Sequence, residues 1–423
     1  MDDSTPRRWW HEVPHAEALS DRLAAVRAID NHTHLLWAGE FRPQIEAGLP
    51  LGLRSTNPAY AAALSDRFGV ATGPGGLLEA AREASVVRAA LIERLGLPGY
   101  WHDHLDAAGV EIALVNQESP AGTDGVRLCW VAVAGDLLYP LPAAALQERS
   151  PRPEAVTSVM AAQARLARHL AAAGLVGVPA DLGAYVDFVD RTLAGWRERG
   201  AVALKFWDAY LRTLLFDDVP EARAQALYAR GLATPLPREE YLALQDYLAR
   251  HIFLQAGRLG LPVHLHSSGG GSLALRLQEA DVRNLEGVLT DGRFAGTQFV
   301  LIHGGAPLFD EAAYLALKPH VWLDVSSLPF LYPVPDLARA LRTYLLFAPE
   351  HVLFGTDAGP GPGVPLGPEV QHLALCRALR EALTLALAGL VRDGVLDLPA
   401  AVRVGEGVLH GNARRLYGWP REE

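Results

Sequence analysis

The chain has 423 residues, half of them hydrophobic, and a formal net charge of −10. That is ample apolar material for a large core, and the acidic balance, with no Lys/Arg-rich run, excludes a nucleic-acid surface. Cys129 and Cys376 are the only cysteines, too few for a disulfide framework and suited to a reducing compartment.

The N-terminal stretch, 1–20, is polar and lacks the apolar core of a signal peptide. No apolar run approaches the ~20 residues of a membrane span, so no membrane association is expected and the expected location is cytoplasmic. Trp9 and Trp10 suit packing against the body of the protein or a neighbouring subunit.

The first β-rich run is "RAIDNHTH" at 27–34. A long interval, 35–100, follows and carries helical stretches such as "LLEAAREASVVRAALIERLG". "VEIALVNQES" (110–119) and "LCWVAVAGDLLYP" (128–140) come next. The segment 153–174 has apolar residues three and four apart and ends at a glycine, which predicts a helix. "AVALKFWDAY" (201–210) precedes a smaller excursion at 211–237, and 238–260 again shows helical spacing. Four more runs close the series: "LPVHLHSSGGG" (261–271), "TQFVLIHGG" (297–305), "HVWLDVSS" (320–327) and "HVLFGTDAGP" (351–360).

Eight strands alternating with helices predict a parallel sheet, and near-continuous apolar strands fit burial on both faces. The expected fold is a single α/β domain over 1–423, a (β/α)8 TIM barrel with a helical insertion after the first strand. The Gly/Pro-rich stretch 359–368 follows the last strand directly and reads as a loop on the catalytic face.

The chemistry gathers at the strand ends. Residues i and i+2 of a strand share a face, so His32 and His34 are expected to offer two imidazoles to one ion. His264 and His266 end the fifth run, His303 the sixth, Asp357 the eighth and Lys205 the fourth. Strand ends around one barrel mouth converge, and several histidines with a carboxylate make a divalent-metal site. His264, one layer deeper than His266, suits a lining or substrate-side role.

An ammonium has no lone pair and repels a dication. Lys205 therefore either becomes a carbamate that bridges two ions, stays cationic and grips a substrate carboxylate, or is buried neutral. After the same strand come Asp208, Tyr210 and Arg212. Arg212 suits a bidentate carboxylate clamp, or a surface salt bridge to Asp217 or Asp218. Asp324 and Ser326 suit a substrate hydrogen bond or structural support. His102 and His104 precede the second strand, at the wrong end for chemistry, and are expected on a helix surface.

This ordered set resembles the amidohydrolase superfamily of metal-dependent barrels. Its pattern is an HxH on the first strand, a His on the fifth, a His on the sixth and an Asp on the eighth, filled here by His32 and His34, His266, His303 and Asp357. Some members add a carboxylated Lys on the fourth, matched by Lys205. The closing "VLHGNARRLYG" (408–418) resembles the branch that includes aminocarboxymuconate-semialdehyde decarboxylase and the barrel domain of glutamine-synthetase-like fusion proteins.

The resemblance implies a metal-dependent hydrolase acting on an amide, ester or lactone of a small, carboxylate-bearing substrate. The metal set would be His32, His34, His266, His303, Asp357 and Lys205, holding one or two ions, with zinc first and manganese or iron as alternatives. Asp357, His303 and Lys205 would be the catalytic residues, and Arg212, Tyr210 and His264 the substrate-binding ones. Two other readings stand beside it: a non-oxidative decarboxylase or isomerase on the same metal platform, and a barrel that binds metal without catalysis. Barrels with long apolar inserts often pair, so a homo-oligomer is compatible with the sequence.

Overall fold

The computed structural model describes residues 13–36, 50–54, 56–73, 76–142, 153–267, 269, 275–359 and 367–420. Trp9 and Trp10, residues 37–49 of the insertion, most of the glycines after the fifth strand and most of the Gly/Pro stretch 359–368 lie outside them.

All eight expected strands form. They are β1 Ala28–Thr33, β2 Val110–Gln117, β3 Leu128–Val133, β4 Ala201–Phe206, β5 Val263–His266, β6 Phe299–Ile302, β7 Val321–Asp324 and β8 Val352–Leu353. They make one sheet in sequence order, and the fold is a (β/α)8 TIM barrel. Each strand is shorter than its β-rich run, because the polar residues that close each run leave the ladder and form the turns beyond it. Among the described residues no helix is long and apolar enough to cross a membrane.

By internal contacts the chain groups into two compact units, residues 1–115, 122–128 and 324–423, and residues 116–121 and 129–323. The first unit carries β1 and β8. Its longest unbroken helix, Pro368–Arg392, opens with proline in its first turn, where the missing N–H costs nothing. Leu379, Leu383 and Leu387, four apart, are buried, and the helix packs on Ala16–Ala24, Pro58–Phe68 and Val334–Phe347. The insertion after β1 is helical as expected: Pro58–Phe68, capped by the Asn57 side chain, is followed by Gly76–Ala107, broken at Gly96.

In the second unit β3 to β7 run parallel, with Lys205 opposite His264, and His266 opposite Ile302. Helix Leu182–Glu198 starts where Asp181 accepts the Ala184 N–H at 2.8 Å. Helix Arg238–Leu259 stops at Gly260, whose φ of 64° suits a residue without Cβ. Phe253 of that helix packs edge-on against Phe206, Phe216 and Phe299, with ring centroids 5.1 to 5.4 Å apart. Aromatic burial of this kind anchors the helix to β4 and β6.

Candidate metal centre

Three backbone hydrogen bonds tie the end of β1 to the residues that follow β8. Asn31 N–H donates to the Phe354 carbonyl at 2.9 Å, Asp357 N–H to that of His32 at 2.7 Å, and His34 N–H to that of Ala358 at 2.7 Å. This ladder brings together three residues that the sequence marks as ligands. Asp357 Oδ1 lies 3.2 Å from His32 Nε2 and 3.4 Å from His34 Nε2, and one donor atom from each lies within 4.8 Å of the others.

Ligands about 2.1 Å from a tetrahedral ion sit about 3.4 Å from one another. Two imidazoles and a carboxylate at these spacings therefore fit one divalent ion of the zinc, manganese or iron type. The His32 side chain is 1% exposed, that of His34 38% and that of Asp357 21%, which leaves one side of the cluster open. Strict alternation along β1 does not hold at its end, since the register against β2 shifts between Asp30 and Thr33. Such irregularities often re-aim side chains beside sites. Here the two imidazoles still meet, edge-on, with centroids 5.2 Å apart.

Several neighbours fix this arrangement. Ser327 Oγ donates to Asp357 Oδ2 and leaves Oδ1 facing the imidazoles. Asp30 Oδ1 accepts the N–H of His32 at 3.2 Å and of Thr356 at 3.0 Å, and its Oδ2 accepts Thr356 Oγ1 at 2.6 Å. Asn31 Nδ2 donates to Asp324 Oδ2 at 2.7 Å, and the Asn31 oxygen accepts the Tyr417 hydroxyl. Burial pushes the Asp324 carboxyl up to about 6, against the hydrogen bonds from Ser326 and Asn31.

A Cβ on Gly355 would lie 2.3 Å from Asp324 Oδ2, and one on Gly359 2.9 Å from His34 Cβ. Both positions need glycine for the close approach. Among the described residues four non-glycines have positive φ, and three of them are His303, Ser327 and Asp357. They follow β6, β7 and β8. Left-handed backbone is disfavoured for residues with a Cβ and gathers at functional sites.

In the second unit, His266 and His303 form a pair, with His303 Nε2 3.1 Å from His266 Nδ1 and centroids 4.5 Å apart. Tyr210 lies over His266 at 4.4 Å. Lys205 is 6% exposed and His264 fully buried. Burial first, and the Lys205 charge second, hold His264 well below the usual histidine range, so its imidazole is neutral. Asp208 is buried, and desolvation raises its carboxyl to about 7 against the pull of Arg212.

Two sequence expectations are corrected. Arg212 makes no surface salt bridge to Asp217 or Asp218. It is fully buried, pairs with Asp246 through Nη2, donates from Nε to the Thr213 carbonyl at 2.9 Å and covers the Phe216 ring at 4.6 Å. Asp218 pairs with Arg293 instead, at 2.7 Å. Nor does His104 lie on a helix surface. It is fully buried, with Nε2 2.8 Å from His372 Nδ1; His102, which pairs with Asp124, is half-buried.

Sequence reasoning also left Asp30, Ser327, Thr356 and His372 without a role. The first three stand within two positions of residues it marked or of a strand end, which is a signal of place but not of contact. His372 has no such signal.

The family model for amidohydrolases matches residues 29–419, and the chain belongs to that family. No curated protein matches the sequence. Among solved structures the chain is similar to a Lactobacillus casei protein provisionally described as a metal-dependent hydrolase, at 17% identity and a TM-score of 0.60, covering 95% of this chain and 97% of that one. It is also similar to glucuronate isomerase from Caulobacter crescentus, at 15% identity and a TM-score of 0.55, with 97% and 95% covered. A third is uronate isomerase from Thermotoga maritima, at 14% identity and 0.55, with 95% and 97% covered. At these identities the likeness shows the shared fold.

Proposed function

We propose that this amidohydrolase-family barrel is a metal-dependent hydrolase acting on an amide, ester or lactone of a small, carboxylate-bearing molecule. The observation that carries the reading is Asp357 Oδ1 facing the Nε2 atoms of His32 and His34 at 3.2 and 3.4 Å. A divalent ion held by these residues supplies Lewis acidity and lowers the pKa of water toward neutrality; zinc is the first choice, with manganese or iron as alternatives.

Asp357 is assigned the proton transfer, taking a proton from the nucleophile and returning it to the leaving group. Ser327 holds its other oxygen, so the carboxylate keeps one orientation through both transfers. His266 is assigned to the ligand set. His303 and Lys205, the latter as ammonium, are assigned to the charge that develops on the attacked carbonyl oxygen; a Lys205 carbamate would instead join the ligand set. Tyr210 and His264 are assigned to the substrate side.

A second reading is an isomerase using the same imidazole–carboxylate set, and two of the solved structures of similar fold are uronate isomerases. Proton transfer at a carbon beside a carbonyl then replaces attack by water. Arg212, committed to Asp246, lends decarboxylation no support as a carboxylate clamp.

The test is to load the protein with Zn2+, count the metal per chain, and offer panels of lactones, esters, amides and uronates in oxygen-18-labelled water and in D2O. The hydrolase reading expects at least one ion per chain and one 18O in the product acid, both lost on chelation. Deuterium at carbon with no 18O would replace it by the isomerase reading. A chain that takes up no metal would overturn both readings, and metal uptake with no turnover of any panel would leave the barrel that binds metal without catalysis.

A further inference from the structure

The helix Pro368–Arg392 reaches the metal-binding strand ends from behind at two consecutive residues. Gln371 Oε1 accepts the N–H of Gly359 at 3.0 Å, and Gly359 packs on His34. His372 Nε2 lies 3.0 Å from Asp30 Oδ2, and Asp30 in turn accepts the N–H groups of His32 and Thr356. The other His372 nitrogen, Nδ1, meets His104 Nε2 at 2.8 Å, and all three side chains are fully buried. Two residues earlier, Glu369 of the same first turn accepts from Arg88 Nε and the Tyr100 hydroxyl, both on Gly76–Ala107. One helical turn therefore joins the insertion after β1 to the backbone on both sides of the ligand pair.

We propose that His372, braced by His104 and acting through Asp30, is a positioning residue that sets the spacing of the His32 and Asp357 donor atoms and so the affinity of the site for a divalent ion. This rests on the reading that His32, His34 and Asp357 bind such an ion. The charge state agrees with the geometry. Burial by itself lowers the His372 pKa, but Cys376 and Asp30 outweigh it and raise it to about 10. An imidazolium donates from both nitrogens, one proton to Asp30 and one to His104. Burial and the His372 charge hold His104 well below the usual range, as an acceptor must be.

Asp30, His372 and Cys376 also lie close enough to ligate an ion of their own. The 3.0 Å between His372 and Asp30 is a hydrogen-bond distance, shorter than the ~3.4 Å between ligands on one tetrahedral ion. A hydrogen-bonded relay accounts for it better than a second metal.

The experiment measures Zn2+ affinity of the metal-free protein by competition with a chromogenic chelator, together with the melting temperature of the metal-free form. Wild type, His32→Ala, His372→Leu, His372→Gln and His372→Asn are compared. His372→Leu is expected to weaken Zn2+ binding 10- to 100-fold, the range typical for groups that orient ligands. His372→Gln, which still reaches Asp30 with an N–H, recovers most of it, and His372→Asn, polar but too short, does not. Should His372→Leu fail to fold, the Gln and Asn pair decides.

A lower melting temperature with unchanged affinity in the folded variants would overturn the inference alone. No uptake by wild type, or uptake unaltered in His32→Ala, would overturn the proposed metal site and this inference with it. A second equivalent of Zn2+ in wild type, lost in His372→Leu, would replace the relay by a metal centre.

Discussion

His32 and His34 are set among carboxylates, and His266 and His303 among rings. In the first unit, Asp357 faces both imidazoles, Asp30 stitches β1 to Thr356, and Asp324 holds Asn31. In the second, His266 lies between Tyr210 and His303, and the adjoining charges are buried or paired: Lys205 beside a neutral His264, Arg212 on Asp246. The difference is one of how a side chain is held. Directional hydrogen bonds to charged groups fix orientation and leave one side open to an ion. Packing fixes position by excluding everything else. Substitutions in the first region should therefore show mainly in metal affinity and turnover; in the second, those at the buried pair of Arg212 and Asp246 should show mainly in stability, and those at His266, His303 and Lys205 in turnover as well.

The largest effect expected is at Asp357. Asp357→Asn keeps the shape and loses the base, and turnover of the metal-loaded protein should fall about 10,000-fold, the upper range for a general acid–base group. Retention of turnover within tenfold would break the comparison at its strongest point. Next is Arg212→Ala, which leaves Asp246 buried without its cation. Urea denaturation should show a loss of about 3–5 kcal/mol, with Zn2+ affinity unchanged in the folded fraction. A loss of metal affinity here would mean that the packed region also sets the ion site.

Asp324 tests the first region through pH. Its carboxyl is raised to about 6 by burial, above its ordinary value of 3.8. The folded state thus holds the proton more tightly than the unfolded state. Its contribution to stability is complete below pH 4 and is lost as pH rises through 6. Over that window wild type should lose on the order of 3 kcal/mol relative to Asp324→Asn. Parallel stability profiles for the two proteins would show that Asp324 does not titrate there. The smallest effect is at Ser327, where Ser327→Ala frees one Asp357 oxygen. Turnover should fall about tenfold with the melting temperature nearly unchanged, and no fall at all would show that the Ser327 hydroxyl does not orient the Asp357 carboxylate.

The eight β-rich runs each became a strand because burial on both faces leaves a long apolar signal that any reader of the chain can find. Their polar ends were legible too, since a histidine or aspartate directly after such a run has few structural reasons to be there. The insertion after β1 was legible as helix from its spacing, but its tie to the helix Pro368–Arg392 through Glu369 was not. Arg212 shows the limit well. Its neighbours in sequence, Asp217 and Asp218, are the natural partners on paper, yet the buried carboxylate of Asp246 lies within reach and they were passed over.

The sequence by itself determined the strand order, the barrel and which histidines and aspartates stand at the strand ends, because periodicity and spacing are local and need no knowledge of distant contacts. Only the tertiary structure decided that Ser327 orients Asp357, that His104 is buried, and that His372 stands behind Asp30. His104 and His372 meet at 2.8 Å across 268 positions of chain. No local pattern encodes such a meeting. It follows from the helices Gly76–Ala107 and Pro368–Arg392 lying side by side, where a buried polar group must find a partner or bear the full cost of its desolvation.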